Sequence, residues 1–474
     1  MAGRGVVTIS RQVLEVDLHG TEADGHALQR RLPGVCADVV SPVIESALGH
    51  LDPGDGYLFL ERLSIDLTLS SLERLEANLA DAIRHELAEH FRRRPVPAAT
   101  DPAGALGRDE VQHRSQREAT GDALVTFLRT GGLPWWFRLP QGRTLEEVIV
   151  ATWPDIGGHR DPPTGTKRLL LEVLIAQEVR QRLVRQFTPA FVEIVLRSLS
   201  PEVAVAVAGI ESRLGGWSAP GAAHRFGRHV FEVALATVVA ARPESSPATL
   251  VRAALAQADP PVRADLGLVA TLEREWPGST RAEKQPAEAA TILRPQPTPA
   301  PPRADEPAEQ GGVMVENAGL VLLQPFLPRF FEGLGVAAGD DLIDPSRALC
   351  LLHHLATAEL TAPEHRLVLA KVLCGVPEGE PVEADVGLTA EETTEATALL
   401  TAAIGHWDAL RGTSPDALRL EFLQRPGVLS VTGDGDWLLR VDGRTVDILL
   451  DQLPWGYASF RLPWMSRLMM VEWR

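Results

Sequence analysis

The feature that most limits how this chain can fold is a proline-rich segment between residues 281 and 312. Five of its prolines lie close together, at Pro295, Pro297, Pro299, Pro301 and Pro302. A segment with so few large apolar side chains cannot bury enough surface to fold, and its prolines favour the extended polyproline II conformation. At about 3.1 Å per residue it could reach on the order of 100 Å. The sequence therefore predicts a disordered linker between two folded parts.

Length and charge limit the number of domains and the kinds of partner. With 474 residues the chain is long enough for about three domains, each with its own core. Lys and Arg number 46 against 63 Asp and Glu, so the net charge is -17, which disfavours a nucleic-acid binding protein. No apolar segment follows Met1, and no run approaches the ~20 apolar residues of a membrane span. The sequence therefore predicts a protein without a membrane span that stays in the cytoplasm, where it is made.

Three cysteines, Cys36, Cys350 and Cys374, lie at least 24 residues apart and form no CxxC pair. An odd number at such spacings does not predict a disulfide framework. Cysteine without a partner behaves as a small apolar residue and is among the most buried residue types. All three cysteines are therefore predicted to be reduced and buried.

The first predicted domain, residues 1–95, combines strands and helices in an α+β arrangement. Apolar and polar residues alternate in Leu14–His19 and again in Leu63–Leu69, which is the period of a half-buried strand. Each strand alone would leave an apolar face uncovered, so we expect the two to pair around a helical interval near Val35–Leu48. Apolar residues then recur every three to four positions across residues 72–91, which predicts one amphipathic helix.

Prolines and glycines divide the next part of the chain. Two prolines end the helix, and residues 96–117 contain few large apolar side chains, which predicts a second linker. Residues 118–280 carry several apolar patterns of helical period, so this middle region is predicted to be a stack of short helices. Its longest predicted helices span Lys167–Phe187 and Ala222–Ala241. Thr188–Pro189 places a capping residue before a proline, which is typical of a helix N-terminus.

The last predicted domain, residues 313–474, begins with helices and ends with strands. The predicted helices span Ala318–Phe331, Pro345–Glu359, Pro363–Leu373 and Thr389–Trp407. The predicted strands span Val428–Thr432, Trp437–Val441 and Leu468–Trp473. A Gly-Asp-Gly-Asp sequence joins the first two strands and predicts a hairpin. The predicted fold class is thus α+β and predominantly helical, in a multi-domain, elongated chain with small β elements in its N- and C-terminal domains and Pro-rich linkers.

No motif for catalysis or for cofactor binding is present. Pro162–Lys167 precedes a helix as a phosphate-binding loop does, but Lys167 does not directly follow the glycine, and Arg168 stands where Ser or Thr is required. No GxSxG nucleophile elbow occurs. The sequence therefore predicts no catalytic residue, no cofactor and no enzyme.

His353 and His354, with Glu364 and His365 nearby, form the best candidate for a metal site. Adjacent histidines on a helix point about 100° apart, so both cannot readily bind one ion. No HExxH or paired-Cys spacing accompanies them. The sequence predicts no metal site here, but one histidine on the surface beside one in the core.

A Leu-Pro-Trp sequence occurs three times, at Leu133–Trp135, Leu453–Trp455 and Leu462–Trp464. Proline fixes φ and has no N–H, so each copy makes the chain leave a regular element while a large ring anchors the turn against an apolar surface. That surface could be the core of the domain itself, or it could belong to a partner, because Trp is a frequent hot-spot residue. The residues predicted to bind a partner are Trp135, Trp136, Trp455, Trp464, Met465 and Trp473.

The same motifs give the chain its likeness to a known family. Val446–Gly456 is followed by Phe460–Met465, the chain ends on Val471–Arg474, and Phe127–Trp136 and the segment from Leu63 to Leu67 add to the pattern. On these residues the chain resembles the contractile injection system tape measure protein family. The resemblance implies a protein in the lumen of the inner tube of phage-tail-like particles, which sets how long tube and sheath grow. It implies inner tube and baseplate or spike proteins as partners, and an axial component would have three or six copies.

The chain is long enough to act as a ruler, but its composition does not fit one continuous helix. As one helix, at ~1.5 Å per residue, the chain would span ~700 Å. Its 36 prolines and 40 glycines do not allow a single rod. A compact domain at the end of the tube or on the baseplate, with a variable middle, fits the sequence better. Two other classes stay open: a non-measuring adaptor or assembly scaffold of the baseplate, and an enzyme with an unrecognised site.

Overall fold

The computed structural model describes residues 7, 9, 13–18, 21–48, 56–60, 68, 75–93, 111–140, 142–153, 155–156, 159–216, 222–240, 246–280 and 312–473. Within these residues the fold is predominantly helical with a few short strands, which confirms the predicted α+β class. None of the described helices is long and apolar enough to cross a membrane. The chain forms two compact units, residues 1–123 with 134–153 and residues 124–133 with 154–474.

The first unit contains three amphipathic helices that share one core. They are α1 (Glu22–Val35), α2 (Ser41–Leu48) and α3 (Leu75–Arg93), with a π-helical turn at Cys36–Val40. The buried residues of this core are Leu28, Val35, Val40, Val43, Leu75, Leu79, Ala80, Ile83 and Leu87. The helix predicted across residues 72–91 is confirmed as α3, because the apolar stripe is the face that is buried.

Two strands of this unit pair with each other. β1 (Gly56–Leu60) and β2 (Val111–Ser115) are antiparallel. This pairing corrects the predicted linker 96–117 at its described end, because residues 111–115 are a strand and α4 (Gln116–Thr130) follows directly. Since β2 contains one large apolar residue in five, its local pattern does not predict a strand. A last helix, α5 (Leu145–Thr152), begins with a capping box.

The predicted strand Leu14–His19 is not observed. Residues 13–18 have no regular secondary structure, and Val13 and Val16 are 61% and 47% exposed. A strand needs a neighbour to satisfy its backbone groups, and no strand among the described residues pairs with this segment. Its predicted partner, Leu63–Leu69, lies outside the described residues apart from Thr68.

Short helices follow one another in the first part of the second unit. They are α6 (Thr164–Val173), α7 (Gln177–Gln186), α8 (Pro189–Leu199), α9 (Pro201–Leu214), α10 (Ala222–Val239), α11 (Pro247–Gln257), α12 (Pro260–Arg263) and α13 (Leu266–Glu275), and two short strands precede them, β3 (Asp155–Ile156) and β4 (His159–Arg160). The predicted cap is confirmed, since the Thr188 hydroxyl accepts a hydrogen bond from the N–H of Phe191. The predicted helix Lys167–Phe187 is two helices, because a turn at residues 174–176 separates α6 from α7.

The predicted linker 281–312 lies outside the described residues apart from Gly312, after which further helices follow. They are α14 (Leu327–Gly333), α15 (Pro345–Thr357), α16 (Val368–Leu373), α17 (Ala390–His406) and α18 (Pro415–Leu418). The predicted helices at 345–359 and 389–407 match α15 and α17. Those at 318–331 and 363–373 each divide into a 3₁₀ turn and a shorter α-helix.

Five strands of this part form one mixed sheet. They are β5 (Val313–Val315), β8 (Gly427–Val431), β9 (Trp437–Val441), β10 (Ser459–Phe460) and β11 (Met469–Trp473), in the order β10-β11-β9-β8-β5, and a separate pair is β6 (Ala337–Ala338) with β7 (Asp341–Leu342). Neighbours are antiparallel except β9 and β11. The predicted hairpin is confirmed as β8–β9, with Leu429 opposite Leu439. The buried apolar residues between 315 and 471 form one core.

Candidate functional site

The two C-terminal Leu-Pro-Trp motifs are bound inside the second unit. The indole N–H of Trp455 donates to the carbonyl of Leu322 at 2.9 Å, and that of Trp464 donates to the carbonyl of Leu373 at 2.7 Å. Each ring also packs on a phenylalanine, with ring centroids 5.1 and 5.6 Å apart. A partly buried Trp usually finds such a partner for its N–H. Both side chains thus anchor the turns of their own domain.

Trp473 lies in a third anchor, on the last strand. Its indole N–H donates to Oδ2 of Asp447 at 3.0 Å, and the Arg425 guanidinium lies over its ring, 5.4 Å from the centroid. Arg425 also donates to both carboxylate oxygens of Asp447, at 2.6 and 2.9 Å. Burial acts to raise the pKa of Asp447, but hydrogen bonds from Arg425, the Arg444 backbone and Trp473 outweigh it and hold that pKa below its usual value. Met465 is 5% exposed and belongs to the core.

The tryptophans of the first motif lie in the first unit and differ from each other. Trp136 packs edge-on against Tyr57 and Phe137, with ring centroids 5.8 and 5.9 Å apart. Trp135 is 52% exposed. Among the six residues predicted to bind a partner, Trp135 is the most accessible. The structure thus assigns two of the six to the first unit and four to the second, and partner binding by any of them stays a prediction.

Three buried charged side chains, Arg182, Glu364 and Lys371, form a network inside the second unit, which we call the charge seam. Nε of Arg182 donates to Oε2 of Glu364 at 2.9 Å, and Nζ of Lys371 donates to Oε1 at 2.6 Å. The three side chains are 0%, 1% and 2% exposed. Arg182 lies on α7, before the proline-rich segment, whereas the other two residues come after it. The Glu364 carboxylate therefore connects two parts of the chain that are far apart in sequence.

Backbone carbonyls accept further hydrogen bonds from both cations. Arg182 donates to two carbonyls at 2.6 and 2.5 Å, and the Lys371 ammonium donates to two others at 2.7 Å each. The accepting carbonyls belong to Leu128, Gly379, Glu378 and Glu380. Burial lowers the pKa of Lys371, and the Glu364 carboxylate opposes that effect. A buried charge is tolerated when it is paired and hydrogen-bonded, and here each side-chain nitrogen of Arg182 and Lys371 has an acceptor.

Helix α7 makes further bonds at the edge of the charge seam. Arg185 and Gln186 each donate to a carbonyl of the loop at residues 381–384 at 2.8 Å, and the loop returns one backbone N–H to the carbonyl of Arg185 at 3.2 Å. The Gln186 amide oxygen accepts the backbone N–H of Glu364 at 2.8 Å. The two parts of the chain are therefore joined by backbone as well as side-chain hydrogen bonds.

Gly131, at the end of α4, leaves room for the charge seam. Its φ is +79°, in the left-handed region that favours glycine. A Cβ at this position would collide with the carboxylate of Glu364. Both the backbone conformation and the close approach therefore require glycine here.

Both adjacent histidines are buried, which corrects the prediction of one surface and one core histidine. His353 and His354 are 1% and 7% exposed. The turn after α15 brings Glu359 back to both of them. Glu359 Oε2 lies 3.2 Å from Nε2 of His353, and the Glu359 carbonyl oxygen lies 3.1 Å from Nδ1 of His354. Burial, with the nearby Arg366 cation, lowers the pKa of His353 and of His365 to about 4. In the part of the chain that the structure describes, no group of three or more His, Cys, Asp or Glu side chains is placed to hold a metal ion.

Two smaller predictions have mixed outcomes. Lys167 of the rejected phosphate-binding loop lies near the start of α6, where its Nζ is 2.7 Å from Oδ1 of Asp161. The three cysteines are free, as predicted, but Cys36 is only partly buried, whereas Cys350 and Cys374 are fully buried. Burial raises the pKa of Cys350 to about 12 and also raises that of Cys374, so both thiols stay protonated at neutral pH.

The charge seam was not predicted from the sequence, although one signal for it is present. The chain has only three lysines, and one of them, Lys371, interrupts the apolar helix α16, whose other residues are Val, Leu and Ala. A charge inside such a short apolar run indicates a buried partner. Its partner could not be named, because Glu364 is one of many carboxylates and Arg182 lies in a different part of the chain.

Comparison with known proteins gives one match. The model of a family described as "Contractile injection system tape measure protein" matches residues 7–473. No curated protein and no solved structure matches the chain. The family match covers nearly the whole chain and extends over both compact units.

Proposed function

Since the chain belongs to the contractile injection system tape measure protein family, we propose that it assembles with the inner tube on the baseplate or spike of such a particle and takes part in setting tube and sheath length. The observation that carries the proposal is the family match over residues 7–473, because it includes both compact units and not one shared module.

The charge seam supports action as a compact body rather than as an extended ruler. A protein ruler needs segments that follow one another along its axis, so that their lengths add. Each residue then contributes ~1.5 Å in a helix or about twice that when extended. Residues 154–280 and the residues after 311 belong to the same compact unit, the second. A compact body of roughly 300 residues has a radius of gyration of only about 20 Å. The longest described helix, α3, has 19 residues and so a length of only about 28 Å.

The place and partners of the chain follow from this proposal. It would be made in the cytoplasm, join the assembling particle there and lie in the lumen of the inner tube near the baseplate. Its partners would be inner tube proteins and baseplate or spike proteins. An axial position would require the symmetry of the particle, with three or six copies of the chain. Trp135 is the first residue to test for a partner contact, because it is the most exposed of the predicted set.

A baseplate adaptor that measures nothing is the second candidate. The compact second unit favours it to the same degree, because an adaptor needs folded surfaces and no segments whose lengths add along an axis. Both candidates place the chain in the same particle, and they differ in what happens to tube length without it.

Deleting the gene and imaging the particles by electron microscopy separates the two candidates. Tubes with a broad distribution of lengths are expected if the chain takes part in length setting. Baseplates without tubes are expected if it acts only as an adaptor. Supplying the full chain from a plasmid should restore uniform tubes in either case. Normal, uniform tubes in the deletion strain would contradict both candidates.

Affinity purification tests the partners directly. A tagged chain purified from cells that build the particle should bring down inner tube and baseplate or spike proteins. A chain without residues 313–474 should lose them, with circular dichroism used to check that the remainder is folded. Failure of the intact chain to recover any particle protein would contradict the proposed partners.

A further inference from the structure

The folded structure continues to both ends of the proline-rich segment. On one side, the Glu273 carboxylate accepts backbone N–H bonds from Gly278 at 2.9 Å and Thr280 at 3.3 Å, which closes the end of α13. On the other side, Val313 begins β5, which pairs with β8 in the sheet. The segment therefore leaves and re-enters the same compact unit.

The proline-rich segment divides the second unit into an earlier part, which ends at residue 280, and a later part, which begins at residue 312. Hydrogen bonds and ion pairs make up much of the described contact between these two parts. The core of the later part consists of residues between 315 and 471, and among the described residues it takes no member from α6–α13. The contacts across the two parts include the charge seam, the bonds of Arg185 and Gln186, and an ion pair between Arg228 and Glu383. The two parts thus have separate apolar interiors and a polar, largely buried contact.

We infer that residues 281–311 connect two parts of one folded body that stay bound to each other without the connection. Glu364 carries the association, because its loss would leave Arg182 and Lys371 buried with no counter-charge, and an uncompensated buried charge is strongly destabilising. A segment whose two ends lie on one folded body does not add to the end-to-end length of the protein. On the proposed function, the length of residues 281–311 therefore does not set the length of the tube.

Cutting the intact chain tests the association without any assumption about function. A specific protease site is inserted between residues 281 and 311, the full chain is purified, cut and run on gel filtration in 0.15 M and 1 M NaCl. We expect the two fragments to elute together at the volume of the uncut chain in both salts, because a buried ion pair is screened far less than an exposed one. Separation of the wild-type fragments would overturn the inference.

Glu364→Gln tests whether the charge seam holds the parts together. It keeps the shape of the side chain and removes the charge, so the cut fragments should bind at least about 100-fold more weakly. Glu378→Gln is the matched control, because this side chain is exposed and the charge seam uses only its backbone carbonyl. Both variants are checked by circular dichroism before cutting. Equal elution of cut Glu364→Gln and cut wild type would contradict the role of Glu364.

A second variant keeps the test informative if uncut Glu364→Gln does not fold. Arg185→Ala with Gln186→Ala removes side-chain hydrogen bonds at the edge of the contact and leaves the three charges in place. The cut fragments should then bind about 10-fold more weakly than wild type. Unchanged binding would show that the contact does not depend on these bonds and would overturn the assigned surface.

The consequence for tube length is tested in the particle. Halving or doubling residues 281–311 should leave tubes uniform and of wild-type length, as measured by electron microscopy. Tube lengths that change in proportion would overturn this part of the inference. The two proposals fail in distinguishable ways, since normal tubes in the gene deletion contradict the proposed function and leave the result of the cut chain untouched.

Discussion

Glu364 is 1% exposed and binds two cations, Arg182 and Lys371. The effect of substitutions around it therefore depends on these buried charges. A buried ion pair is weak evidence for stability, because the desolvation of the charges offsets their attraction. Losing one member is costly all the same, because the others stay buried. The four carbonyls around Arg182 and Lys371 accept further hydrogen bonds from these cations, so the charge seam specifies one arrangement of the chain.

Gly131→Ala should lower the free energy of unfolding by about 3 kcal/mol or more. The new Cβ would both force a left-handed backbone on alanine and collide with the Glu364 carboxylate. Gly412→Ala is the control, because Gly412 has a similar φ of +84° and open space around a Cβ. It should cost only about 1 to 2 kcal/mol for the backbone alone. Urea unfolding measures both, and equal losses would contradict the close approach at Gly131.

Acid should destabilise the second unit in a pH window set by His353 and His365. The folded-state pKa of His353 and of His365 is lowered to about 4, below the value of 6.5 expected in the unfolded chain. The unfolded chain therefore binds protons first, so the full stability is present above pH 6.5 and is lost as the pH falls towards 4. Each histidine contributes up to about 3 kcal/mol to that loss.

Urea unfolding at several pH values between 7.5 and 4.5 measures this loss. His365→Phe should make the pH dependence less steep than in wild type. A free energy of unfolding that stays constant across the window would contradict the lowered pKa of these two histidines.

The Leu-Pro-Trp turns differ in how far their tryptophan rings are buried. In Trp455 and Trp464 the indole N–H is bound to a carbonyl of the same unit and the ring packs on a phenylalanine. In the first motif, Trp135 remains 52% exposed. In each case the regular element ends a few residues before the proline. The surface that the turn meets then decides whether the ring is covered.

Trp464→Ala should therefore affect stability, whereas Trp135→Ala should affect partner binding. Trp464→Ala should lower the free energy of unfolding by about 2 kcal/mol or more, because it removes packing and leaves the Leu373 carbonyl without its donor. Trp135→Ala should change stability by less than about 0.5 kcal/mol, and it should reduce recovery of particle proteins in affinity purification. Thermal unfolding and the purification distinguish them. A large loss of stability in Trp135→Ala would argue against a partner role for this residue.

For the whole molecule, the second unit joins helices from before the proline-rich segment with a helix and sheet arrangement from after it. The predicted boundaries at residues 118–280 and 313–474 stay predictions, and the later part does have a core of its own. The charge seam nevertheless couples the two parts across a buried polar contact. Cooperative unfolding of both parts is the physical consequence.

Glu364→Gln should remove that cooperativity. Differential scanning calorimetry of the wild-type chain should show one transition for the second unit, whereas the variant should show two, with the less stable part shifted by several degrees. Glu378→Gln should keep the single transition, since its side chain is outside the charge seam. Two resolved transitions for the second unit of the wild-type chain would contradict the coupling.

Features that depend on neighbouring residues could be predicted from the amino-acid sequence. The helices α3 and α17, the β8–β9 hairpin and the Thr188 cap follow from apolar period, turn residues and capping chemistry. The family resemblance follows from local motifs, and those at the end of the chain are the most specific. Three other features became visible in the folded chain: Arg182 contacts Glu364, 182 positions away, both adjacent histidines are buried, and Val111–Ser115 pairs as a strand. The physical reason is that periodicity reports which face of an element is apolar, whereas the identity of the group that meets it depends on contacts between residues far apart in the chain.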